Sequence, residues 1–365
     1  MINILYFRPK IYWVTINLIM IFLMVSIGGI TRLTDSGLSM TEWSLIRGII
    51  PPLTANDWIE TFNKYKLSPE FIYKNYDMTL LEFKKIFFWE YFHRIWGRII
   101  GLTYFLPLVY FWITSKLSSS EKIFFLILLI LGATQAFMGW FMVQSGLTEN
   151  PDVSHFRLSA HLLIAFIIYS MLLFYLWVKI TLLRKDINHT YRKPEKFNNL
   201  PIFLCIILVL FTIVTGAFVA GTKAGWAYNN FPLMGESLLP PVLLEKTSYS
   251  ISYLLNDIGF IQFFHRILAS TTLFFIIFTS LYLLRTKPSK QINMLSKFLL
   301  VAITLQYILG VILLKFYIPI SLGVMHQFGS LVVISLLIMI LGEKMSMGVQ
   351  TNSQYTFKLI KNFYL

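Results

Sequence analysis

Four of the six histidines in this chain, His93, His161, His265 and His326, lie inside long apolar runs. An ionisable side chain at mid-membrane costs about 2.5–3.5 kcal/mol on insertion scales, so such residues are functional candidates by default. One lone intramembrane histidine is readily explained as a neutral ring bonded to a neighbouring helix. Four of them, in a repeated order, call for a shared chemistry. Two neutral imidazoles on facing helices are natural axial ligands for haem iron. The Phe-rich surroundings suit a macrocycle held between the helices of a bundle. Zinc fits less well, because no carboxylate or thiolate completes a four-ligand set. The simplest assignment is one haem site in each half of the chain, His93 with His161 and His265 with His326.

The neighbours of these histidines carry further chemistry. Arg94 and Arg266 each follow the first histidine of a pair, and Arg98 lies one turn beyond Arg94. Arginine offers a fork that fits a carboxylate, so these three are candidate partners for haem propionates. The alternative is snorkelling at a helix end. Glu90 stands three residues before His93, on the same helical face, and the matching residue before His265 is Gln262. A carboxylate can move protons or stabilise a developing cation, and an amide cannot. The first half therefore reads as the reactive site and the second as an electron-transfer site. His155 is expected in an outer loop near Asp152, with no counterpart in the second half. His189 falls in a basic loop and reads as solvated.

The elements that position these residues follow from composition. Only 13% of the 365 residues are charged, against roughly 25% in soluble domains, and the mean hydropathy is +0.68. Such a chain cannot cover a globular surface with charge, so its surface faces lipid. This excludes a soluble enzyme, a disordered protein and a nucleic-acid-binding module, despite a net charge of +14. Eight apolar runs are long enough to span a bilayer, at about 11–31, 86–113, 123–143, 157–180, 200–220, 260–284, 297–316 and 321–342. Backbone polar groups in lipid must be satisfied internally, so all eight are predicted to be helices. The only cysteine, Cys205, lies in an apolar run, permits no intramolecular disulfide and reads as a small core residue.

The basic residues fix an orientation. Arg8 and Lys10, Lys116 and Lys122, and the tail's Lys358 and Lys361 fall on one side of an eight-span chain. So do the loop 181–197, with Arg184, Lys185, Arg192, Lys193 and Lys196, and the loop 285–297, with Arg285, Lys287, Lys290 and Lys297. That side is expected to be cytoplasmic, with both termini. The long loops at about 32–85 and 221–259 then lie outside as structured loops, and all four histidines lie toward the outer side. The first span is too long for a signal-peptide core, and no Arg/Ser-rich transit segment precedes it. A bacterial inner membrane is the expected location.

The two halves repeat one another. Gly28 and Gly216 close their spans, Glu90–Arg94 matches Gln262–Arg266, Gln135–Gly139 matches Gln306–Gly310, and His161 matches His326. The offsets are 172 for the first histidines, 171 for the glutamines and 165 for the second histidines. Matched features in one order argue for duplication, and an even number of spans per half makes the repeat parallel. The expected fold is an all-α integral membrane protein of eight transmembrane helices in two tandem four-helix bundles. The halves are 1–185, with the reactive site, and 198–345, with the electron-transfer site. A cytoplasmic tail covers 346–365.

With these residues in place, the chain resembles the haem A synthases of bacteria and mitochondria, over about residues 13–342. The resemblance rests on Gly28–Met40, Pro51–Leu53, Phe87–Arg98, Pro151–His161 and Tyr228–Met234. It implies conversion of haem O to haem A by oxidising the methyl at ring position 8 to a formyl group, through successive hydroxylations and loss of water from a geminal diol. It also implies haem B between His265 and His326, the haem O substrate between His93 and His161, and a catalytic role for Glu90. A haem O synthase upstream, terminal-oxidase assembly factors downstream and a homo-oligomer are partners the resemblance suggests. Some members carry a cysteine pair in the first outer loop; residues 32–85 here contain none, which removes a thiol relay through that loop. Two other readings compete. A di-haem b-type electron-transfer cytochrome acting on quinone would hold two permanent haems B, and the Glu90/Gln262 asymmetry weighs against it. A transporter built on the repeat would hold no haem.

Overall fold

The computed structural model describes residues 4–42, 47–148, 151–188, 198–244, 249–286 and 289–348. His189, the basic residues Arg192, Lys193, Lys196 and Lys287, and nearly all of the 346–365 tail lie outside the described residues. So do Lys358 and Lys361.

Eight long helices carry the fold: α1 (Ile4–Leu33), α4 (Leu80–Ile113), α5 (Ser119–Gly146), α6 (His155–Asn188), α7 (Leu200–Gly221), α10 (Ile258–Arg285), α11 (Lys290–Lys315) and α12 (Ile320–Gly348). Each contains a stretch long and apolar enough to cross a membrane. Short helices occupy the long loops: α2 (Ala55–Tyr65) and α3 (Pro69–Lys74) in the first, α8 (Pro241–Leu244) and α9 (Ile251–Leu254) in the second.

Most helices overrun the apolar runs that announce them. Helix α4 begins at Leu80, ahead of the run at 86–113, because Thr79 and Glu82 form a reciprocal capping box there. Ser118 and Glu121 do the same for α5, and Asp257 caps α10. Caps satisfy the free amides of a first turn whether or not the turn is apolar. At 1.5 Å per residue α4 is about 51 Å long, well beyond a hydrocarbon core of about 30 Å.

Two closed rings of helices result. In the first half α1 packs on α4, α4 on α5, α5 on α6 and α6 on α1. In the second α7 packs on α10, α10 on α11, α11 on α12 and α12 on α7. Across the halves α6 meets α12, α6 meets α7 and α1 meets α12. Exchanging the halves maps this pattern onto itself, as a tandem duplication requires. The main apolar core runs through these central contacts, with Leu172, Leu331, Ile334 and Ile202 fully buried.

At one end of the first ring the core gives way to buried charge. Glu121 accepts from Lys10 at 3.0 Å and from the Tyr175 hydroxyl at 2.6 Å, and pairs with Lys179 at 3.2 Å. This cluster ties α1, α5 and α6 together.

Candidate functional site

Each half carries its two histidines, half-buried, on helices of one ring. His93 on α4 and His161 on α6 lie close enough to interact electrostatically, as do His265 on α10 and His326 on α12. Each expected pair thus has both members on helices of the same ring. Among the described residues no group of three or more His, Cys, Asp and Glu side chains gathers.

Each of these four histidine rings rests against a glycine on an adjacent helix. A Cβ on Gly28 would lie 3.3 Å from His93 Nε2, and one on Gly139 would lie 3.3 Å from His161 Cε1. In the second half a Cβ on Gly216 would lie 3.2 Å from His265 Cε1, and one on Gly310 would lie 2.9 Å from His326 Cε1. The glycines that mark the repeat in the sequence thus make room for the rings. The Nδ1 atoms of His161 and His326 are buried without a hydrogen-bond partner, whereas His265 Nδ1 meets Thr215 Oγ1 at 2.9 Å. Buried polar nitrogens normally find partners, and paired imidazoles with nitrogens to spare fit axial ligation of a haem in each half.

Beside His93, Glu90 is buried and met only by donors. Ser39 Oγ and Met40 N each donate to Oε2 at 2.7 Å, and Arg94 donates to Oε1 at 2.5 Å. Ser39 and Met40 belong to the first long loop, so that loop completes the acid's surroundings. At the corresponding place Gln262 donates from Nε2 to Tyr228 O at 2.9 Å, and its Oε1 is buried without a partner.

The arginines hold the long loops. Arg94 donates to the carbonyls of Met40 and Glu42, both at 3.2 Å. Arg266 donates to Tyr228 O and Leu233 O, both at 2.9 Å. The guanidinium of Arg98 lies against Gly48. Sequence reasoning looked for propionate partners and had no signal for backbone carbonyls from remote loops. It also missed Ser39 and Met40, and it treated Gln135 and Gln306 only as marks of the repeat.

His155 is not in a loop: it opens α6, because Ser154 O accepts the first helical hydrogen bond from Leu158. Its ring packs on Phe156 and Phe218, and its Nε2 meets Leu255 O at 3.1 Å, joining the two halves. Arg32 reinforces the joint by donating to Ala220 O at 2.7 Å and Gly221 O at 3.2 Å, and Lys223 bonds Asp35 at 2.9 Å.

Fold and site together define a class: an all-α, multi-pass membrane protein whose two halves each carry a matched pair of half-buried histidines, with an acid before only the first. The chain belongs to the COX15-CtaA family of cytochrome oxidase assembly proteins, whose family model matches residues 11–338. It is similar to the curated "Heme A synthase" of Rickettsia bellii, 42% identical over 331 residues that cover 89% of this chain and 95% of the relative. It is similarly close to those of Flavobacterium psychrophilum, 41% identical and covering 88% and 93%, and Nitrosospira multiformis, 38% identical and covering 89% and 90%.

Proposed function

We propose that this chain is a haem A synthase, a membrane oxidoreductase that oxidises the position-8 methyl of haem O to a formyl group. The observation that carries the reading is the asymmetry of two otherwise matched sites: Glu90, clasped by three donors beside His93, against Gln262 beside His265.

With water as oxygen source, turning a methyl into a formyl releases four electrons and four protons. The first half, 1–185, supplies the reaction site. His93 and His161 flank the substrate haem and fix its plane. Glu90 stabilises positive charge developing at the methyl carbon and takes a proton from the attacking water. Ser39 and Met40 N orient that carboxyl, and Arg94 ties it to the first outer loop. In the second half, 198–345, His265 and His326 would hold haem B. Bound there, haem B would supply a one-electron couple. Arg94, Arg98 and Arg266 keep the loops over the two sites and offer their remaining N–H groups to propionates.

The basic ends of the helices support an orientation with cytoplasmic termini in a bacterial inner membrane. Lys10, Lys116, Lys122, Arg184 and Arg285 fall at one end. The haem sites then face outward. A haem O synthase would deliver the substrate, and terminal-oxidase assembly would take the product.

The test is to purify the chain in detergent and chromatograph its acid-acetone-extracted haems. Haem B together with haem O, a hydroxylated intermediate or haem A is the expected result. Two haems B per chain and no modified haem would overturn the reading in favour of an electron-transfer cytochrome.

A further inference from the structure

We propose that Thr215 is a positioning residue for His265. In the haem-loaded protein its hydroxyl oxygen accepts the Nδ1–H of the ring, which leaves Nε2 to the iron and fixes the ring plane. This rests on the haem-ligand reading above.

The contact is present in the fold. Thr215 Oγ1 stands 2.9 Å from His265 Nδ1, joining α7 to α10. Thr215 is buried, and its hydroxyl also lies 3.0 Å from the carbonyl of Thr212, one turn back on α7. A helical threonine takes that local bond readily, and the bond holds its rotamer. The next residue, Gly216, makes room for the ring: a Cβ there would lie 3.2 Å from Cε1 and 3.8 Å from Nδ1. Two successive residues of α7 thus set one ring. The glycine lets it in and the threonine meets its nitrogen.

One hydroxyl proton cannot serve both neighbours, and ligation decides between them. Once Nε2 gives its lone pair to iron, a neutral ring carries its proton on Nδ1. The hydroxyl oxygen must then accept, and its own proton turns to Thr212 O, which is already in place. Metal-bound histidines almost always donate this second N–H, which fixes the tautomer and raises ligand basicity.

The first half has no hydroxyl at this place. Ile27 stands one residue before the matching Gly28. The His93 ring meets that glycine with a different edge, Nε2 at 3.3 Å and Cδ2 at 3.6 Å from a Cβ there. A ring held in advance suits a resident cofactor. A ring without that hold suits a haem that must enter and leave.

The test is redox potentiometry and low-spin electron paramagnetic resonance of haem B in the purified full chain. Removing the acceptor makes the imidazole a weaker donor and favours ferrous iron. Thr215→Val, which keeps the branched shape and loses the hydroxyl, should shift the haem B midpoint potential upward and move its low-spin signal. Thr215→Ser, which keeps the hydroxyl, should stay near the wild type in both. A wild-type potential and signal in Thr215→Val would overturn the proposal. It would leave the Thr212 carbonyl, which also lies within hydrogen-bonding reach of the ring, as the acceptor. Equal shifts in the valine and serine variants would overturn it too, since packing would then account for them. If Thr215→Val does not fold, Thr215→Ala is read in its place. His265→Ala run in parallel keeps the two claims apart: a retained low-spin haem B signal there would sink the ligand reading itself, whatever the threonine variants do.

Discussion

Glu90 and Arg94 lie one turn apart on α4, and the guanidinium meets the carboxylate at 2.5 Å while also holding Met40 O and Glu42 O at 3.2 Å. One side chain thus couples the acid to the loop that covers it. Charge-assisted hydrogen bonds contribute about 1.5–3 kcal/mol. Arg94→Lys, which cannot reproduce the fork, should lower haem A formation roughly tenfold to a hundredfold while leaving haem B bound. The ratio of haem A to haem O in extracted membranes measures it, and an unchanged ratio would remove Arg94 from the account.

The glycine cradles predict a division of labour. A methyl at Gly310 must push on His326, and one at Gly139 must push on His161. Overpacking costs about 1–3 kcal/mol. Gly310→Ala should therefore weaken haem B retention roughly tenfold to a hundredfold. Gly139→Ala should keep haem B and lose haem A. Haem extraction from the two purified variants separates these outcomes.

The first long loop should respond to pH through Glu70. This acid is buried in α3, accepts from Tyr65 at 3.0 Å and is pushed up to about 7 by burial, with the charges of Glu90 and Asp35 adding to the rise. A carboxyl raised in the fold contributes stability that is fully present below its unfolded value and is lost as pH rises through about 7. Protection factors for hydrogen exchange across 55–74, taken relative to the intrinsic rate at each pH, should be larger at pH 5 than at pH 8. Glu70→Gln should flatten that difference; a difference that persists would assign the effect to another group.

The buried cluster at Glu121 should matter for stability and not for chemistry. Removing one member of a buried ionic network typically costs about 3–5 kcal/mol. Glu121→Ala strips partners from Lys10, Lys179 and Tyr175 and removes the reciprocal half of the α5 capping box, the bond from Ser118 N to Glu121 Oε2. Thermal melts in detergent should fall by several degrees, with an unchanged haem B spectrum in the surviving protein.

Much of this arrangement was legible in the sequence. Apolar runs in lipid have only the helix available to them, so eight spans and the order His93, His161, His265, His326 follow directly. The Glu90/Gln262 contrast was visible because a repeat supplies its own control. What the sequence hid are contacts made by backbone or across remote segments. Ser39 and Met40 N reach Glu90 from a loop some fifty residues away, and Arg94 and Arg266 hold carbonyls that no residue type reveals. His155 reads as a loop residue because its turn is polar, yet it begins α6 and joins the halves.

The most direct test of the central claim, that chemistry belongs to the half bearing Glu90, is haem extraction from purified Glu90→Gln. The account predicts haem B at the wild-type level, haem O accumulating in place of product and haem A absent. Normal haem A in that variant would contradict it.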